Sequence, residues 1–197
     1  MKPLFLVLST FLSLAAAPAM AQITITPPPE VSALMAACTP TDAQPEAILA
    51  GLRERGWVAP ETDRHRAALM TLTAAHLWSF LPDHPAEAQN ELLGQLTNAV
   101  EAALQRNGAF LALGDELALI LWEADSLSCL WAGPETPTLD TLAVQLGGPF
   151  PESEGTATRA LGQRVEAGGR NWQRRMAVGR TPSGQLPPEV ASLAVTD

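Results

Sequence analysis

Apolar and polar positions recur with two different periods along this chain, and the change of period divides it. From residue 30 to residue 107 the spacing is helical. Glu30 to Cys38 predicts a short first helix. Thr41 or Asp42 can cap a second, from Pro45 to Arg55, with Pro45 early enough that its missing donor costs little and Gly56 placed for the stop. A third helix is predicted from Thr62 to Leu81. In it Leu69, Leu72, Thr73, His76, Leu77 and Phe80 share one side, and Trp78 points away from that stripe. The fourth runs from Pro85 to Asn107, with Leu92, Leu93, Leu96, Val100 and Leu104 as its apolar stripe. The short Pro82–Pro85 connection predicts that the third and fourth helices pack as a hairpin.

The period then shortens to two. Ala109 to Leu113 and Glu116 to Glu123, joined by Gly114-Asp115, predict a β-hairpin, and Leu127 to Ala132 a third strand. Alternation places Phe110, Leu117, Leu119 and Leu121 on one face and Leu111, Leu113, Ile120 and Trp122 on the other. Both faces are apolar, so both need a cover. A helix over 138–146, capped by Thr138, is the nearest cover for the second face. An apolar face left open would mark a partner or ligand site. Residues 147–197 are rich in Gly, Pro, Ser and Thr without a sustained apolar stripe, and read as a disordered tail. The fold expected is α+β: N-terminal helices on a small three-stranded antiparallel sheet, one short following helix, and that tail. Residues 30–146 form the single domain.

The N-terminus adds a compartment. Lys2, the apolar run from Leu4 to Ala17 and the closing Ala19-Met20-Ala21 read as a secretory signal peptide over residues 1–21, cleaved before Gln22. Residues 22–29 follow as a linker ending in Pro27-Pro28-Pro29, which favours extended geometry. No later stretch is apolar enough to span a bilayer, so no membrane anchor remains after cleavage. The expected location is the periplasm or the exterior. In an oxidising compartment Cys38 and Cys129 most simply pair. The formal net charge is −9, which argues against nucleic-acid binding, since that relies on Lys and Arg to neutralise phosphates.

Candidate chemistry is sparse. His65 and His76 return to one helix face but stand about 16 Å apart along the axis, too far to share a metal ion. There is no zinc spacing, calcium loop, phosphate-cradling glycine loop or Gly-x-Ser-x-Gly elbow, so neither metal nor cofactor is expected. The carboxylate pairs Asp115-Glu116 and Glu123-Asp125 fall at turns, where acids are commonly just solvated. From Arg159 to Arg180 six arginines meet a single acid, Glu166, with Trp172 among them. Arg170, Trp172, Arg174 and Arg175 are therefore the candidate partner-binding residues. The same arginines could instead dock on the acidic body of their own domain.

These features favour an exported, non-enzymatic binding module that takes a protein partner through its sheet face or its Arg-rich tail. The alternative is a small periplasmic hydrolase using His76 or His84 with nearby carboxylates.

Overall fold

Two helical layers lie on opposite faces of one sheet. The computed structural model describes residues 26–40, 45–80, 86–150 and 157–180. Its helices are α1 (Pro29–Ala37), α2 (Pro45–Arg53), α3 (His65–Ala75), α4 (Leu77–Phe80), α5 (Ala86–Asn107) and α6 (Pro137–Gln145). Its strands are β1 (Gly108–Leu113), β2 (Glu116–Glu123), β3 (Ser126–Gly133), β4 (Ala157–Ala167) and β5 (Arg170–Arg180). The expected signal peptide, residues 1–21, and the first residues of the expected linker lie outside the described residues.

The meander β1–β2–β3 forms in continuous antiparallel register, from Gly108↔Leu121 through Glu123↔Ser126. Phe110, Leu117 and Leu119 pack with Leu69 and Leu72 of α3 and Val100 of α5. Leu111, Ile120 and Trp131 pack on the opposite face with Leu34 of α1, Leu52 of α2 and Leu139 and Leu142 of α6. Thus α6 does cover the second face, but shares it with α1 and α2. Each fully buried Leu there contributes about 1.5–3 kcal/mol relative to exposure.

The sheet itself differs from expectation. It has five strands in the order β1-β2-β3-β5-β4, and β5 runs parallel to β3. It is mixed rather than three-stranded and antiparallel, and residues 157–180 are a β-hairpin rather than part of a disordered tail. The physical reason lies in β3. Its Leu127, Cys129, Leu130, Trp131 and Ala132 are buried, so its second edge needs a hydrogen-bonding partner away from water. Met176, Ala177 and Val178 of β5 supply one and are themselves fully buried. A parallel pair requires a crossover, and the chain provides it through α6 and β4.

Helix boundaries also move, two of them for a visible reason. The predicted third helix is broken at His76, which has φ −113° and whose N–H turns back to Thr73 O. The imidazole points into the sheet, and α4 restarts beyond it. The cap of α6 is Thr136, not Thr138: its hydroxyl accepts from Leu139 N at 3.3 Å, and Pro137 occupies the first turn.

Cys38 and Cys129 form a disulfide between fully buried positions, with Cα atoms 6.0 Å apart and a sequence separation of 91. It ties the C-terminal cap of α1 to β3. The end of α3 presses on the other face at Gly179. A Cβ there would lie 2.6 Å from Ala75 O, so only glycine lets the helix sit this close. Among the described residues no helix is long and apolar enough to cross a membrane.

Candidate functional site

The hairpin β4–β5 is built by a two-residue turn, Gly168-Gly169, with φ of 59° and 70°. Positive φ at both positions matches the right-handed twist of the flanking strands. The ladder runs without a bulge from Ala167↔Arg170 to Ala157↔Arg180. Only residues 173–180 of β5 pair with β3, so the tip of the hairpin overhangs the meander. Gln173 N, bonded to Asp125 O at 2.7 Å, marks where the overhang begins. The inner half is apolar and buried. The outer half is mostly polar and exposed, and it carries Arg164, Arg170, Arg174 and Arg175.

Alternation along β5 splits the four candidate residues. Arg170, Trp172 and Arg174 share the face of α1, α2 and α6, where Trp172 packs against the edge of that core. Arg175 lies on the opposite face, in register with Ser128 of β3 and Gly162 of β4. The Arg170 guanidinium stacks 4.6 Å above the Trp172 ring and pairs with Asp125 at 3.0 Å. It also donates to the Ala124 carbonyl. Trp172 Nε1 donates to Ala167 O at 3.3 Å. Arg174 donates to Gln163 Oε1, while its buried Nε has no partner. Arg175 is half-buried, and that burial holds its guanidinium below the usual arginine range.

Two of the six arginines answer acids of the same domain: Arg170 with Asp125, and Arg180 with Glu135 at 3.3 Å. Among the described residues Arg159, Arg164, Arg174 and Arg175 meet no carboxylate. Arg159 binds the carbonyls of Gly148 and Pro149 instead. The self-docking of the Arg-rich piece is therefore partial. Arg164 belongs to the site by position although it was not singled out in sequence. The signal that could have found it is the Gly168-Gly169 pair, which sets β4 against β5 in a register that brings Arg164 onto the Arg175 face.

Several concavities open on the described surface, three of them with linings that bear on function. One of about 190 Å³ lies between α5 and strands β2 and β3 and includes Arg106, Ser126 and Ser128 in its lining. One of about 360 Å³ lies between α1, α2 and the β1–β2 turn, lined by Leu34, Leu52, Trp57 and Leu113. The third, of about 420 Å³, holds Glu135, Asp140, Phe150 and Arg180. There Arg180 stacks 5.2 Å from the Phe150 ring. Partial burial and then Glu135 raise the Asp140 carboxyl, and Arg180 opposes them.

Among the described residues no histidine converges on an acid. His76 is fully buried, with Nε2 donating to Trp131 O at 2.6 Å. Its Nδ1 is buried without a partner. Burial lowers its pKa to about 4, with a smaller push from the Arg175 charge, so it stays neutral and out of a substrate's reach. His65 packs edge-on against Phe110, with ring centroids 5.4 Å apart. His84 lies outside the described residues. No cluster of His, Cys, Asp or Glu able to hold a metal ion occurs among the described residues. No family model, curated protein or solved structure matches the chain.

Proposed function

We propose that this chain is an exported, non-enzymatic binding module whose recognition surface is the β4–β5 hairpin and whose partner is an acidic protein segment. One observation carries the reading. Arg159, Arg164, Arg174 and Arg175 lie on one hairpin and none of them pairs with a carboxylate among the described residues, on a chain whose formal net charge is −9. Elsewhere acids outnumber bases, so this hairpin is the surface to which an acidic partner is steered. Export is supported by the signal-like residues 1–21 and by the buried Cys38–Cys129 bond, which suits an oxidising compartment. A periplasmic or secreted location follows from this reading.

The test uses the mature protein, from Gln22 onward, and a fluorescein-labelled oligoglutamate peptide read by anisotropy. Saturable binding that weakens with salt is expected, and the paired change Arg164→Glu, Arg175→Glu should reduce it at least about tenfold. No saturable binding, or binding indifferent to that pair, overturns the proposal.

A further inference from the structure

The hairpin's outer edge offers more than charge. The two edges of the sheet are treated differently. On β1, Val58 caps the edge, its N–H and C=O both bonded to Ala112 at 3.0 and 2.7 Å. On β4, among the described residues, no backbone hydrogen bond reaches the strand from outside the hairpin. Residues flanking a two-residue turn exchange both of their hydrogen bonds, so Ala167 faces Arg170 and the odd-numbered residues of β4 bond to β5. The amides and carbonyls of Ala160, Gly162, Arg164 and Glu166 therefore point outward. Long edges are normally blunted by proline, a bulge or a cover. Over its eleven residues β4 has neither proline nor bulge.

The side chains along this edge select what could pair with it. On the Arg175 face the edge row reads Ala160, Gly162, Arg164, Glu166. Gly162 has open space above it, with nothing closer than 4.0 Å to a would-be Cβ, and it lies in register with Arg175 behind it. An added strand would sit two strand spacings, about 10 Å, from β5. An acidic side chain on it opposite Gly162 would meet no β4 side chain. It would face Arg164 diagonally and Arg175 across the gap. The opposite face of the edge offers Leu161 and Val165, which suit apolar residues at the alternate positions. A second copy of this chain fits less well, because it would bring two arginine-rich hairpins together.

We infer that β4 takes an extended segment with alternating acidic and apolar residues as a sixth strand, seating an acidic side chain over Gly162 against Arg164 and Arg175. This rests on the reading of the hairpin as the recognition surface. It adds that recognition runs through the backbone of β4 and through the gap at Gly162.

The experiment uses the mature protein and a blocked peptide of about nine residues with alternating Val and Asp. Two further peptides carry N-methyl groups on alternate amides, one in each phase. If the peptide adds as a strand, methylation in the phase facing β4 weakens binding about tenfold or more, and methylation in the other phase leaves it nearly unchanged. Gly162→Val fills the gap with a good strand former. It should weaken binding about fivefold or more while the melting temperature holds. Equal sensitivity to both phases, or no effect of Gly162→Val, overturns strand addition while leaving the acidic-partner reading standing. A parent peptide that does not bind at all overturns both. Self-association in sedimentation that Gly162→Val abolishes would assign the edge to a second copy and overturn the proposal.

Discussion

Strands β1–β3 and the hairpin β4–β5 belong to one sheet but meet different surroundings. The meander is covered on both faces by helices, and the disulfide fixes its third strand to α1. The hairpin shares that environment only at its inner end, where Met176 to Val178 are buried. Beyond Gln173 one face carries Arg164, Glu166 and Asn171, while Val165 and Trp172 on the other are only partly buried. In the meander, burial sets identity, and changes there should act on stability. In the outer hairpin little is buried, so its arginines are free to serve recognition. The predictions that follow probe this division, beginning deep in the meander.

The largest effect should come from the disulfide. Closing a loop of 91 residues restricts the unfolded chain by about 4 to 5 kcal/mol on the chain-entropy model. Cys38→Ala with Cys129→Ala should lower unfolding free energy by about that amount in urea titrations at neutral pH. A loss below about 1 kcal/mol would mean the helical cover alone holds the meander.

His76 comes next. Its folded pKa of about 4 lies below the ordinary imidazole value of 6.5 because the ring is desolvated by burial. The unfolded chain therefore binds the proton first. The stability His76 contributes is complete above pH 6.5 and is lost as pH falls toward 4. The full shift corresponds to about 3 kcal/mol. His76→Gln, which can still donate to Trp131 O, should flatten this part of the pH profile in denaturation curves taken from pH 7 to pH 4. A parallel profile in the variant would place the acid sensitivity elsewhere.

Gly179 tests the junction between the two regions. Gly179→Ala places a methyl against Ala75 O and should cost about 2 kcal/mol through overpacking. The thermal midpoint measures it. A neutral result would show that α3 moves freely over β5, and that the inner hairpin is less firmly seated than the meander.

The same division explains what could be read from sequence. Phe110, Leu117 and Leu119 against Leu111 and Ile120 declared two apolar faces, because each meander strand is buried on both sides and flanked by clear turns. The disulfide was legible from two cysteines and a signal-like N-terminal pattern. Residues 157–180 were not, because a strand that faces water on its outer half carries no apolar alternation there. Arg159, Leu161, Gln163 and Val165 read as tail composition. Yet Gly168-Gly169 between two runs of equal length was a hairpin signal, and Met176-Ala177-Val178 a buried strand's core. The break at His76 was hidden for another reason. A histidine at an apolar helix position fits an uninterrupted stripe equally well, and only Trp131 O, distant in sequence, shows why the helix turns there. Of the candidate site, the arginines were visible but not their faces, since the face of a residue depends on the strand register that the turn sets.

The smallest effect should come from the outer hairpin, and it bears most on the comparison. Arg164 is exposed and meets no carboxylate among the described residues. Arg164→Gln should change unfolding free energy by less than about 0.5 kcal/mol, the range of surface substitutions without a specific contact. Binding of the acidic peptide should nevertheless weaken, and weaken less at high salt, where the charge is screened in both proteins. Stability and binding thus separate at one residue, which they cannot do at Cys38 or His76. If Arg164→Gln instead unfolds the protein by more than about 1 kcal/mol with no change in binding, the arginine belongs to the folding machinery. The outer hairpin is then an extension of the meander rather than a surface held out from it.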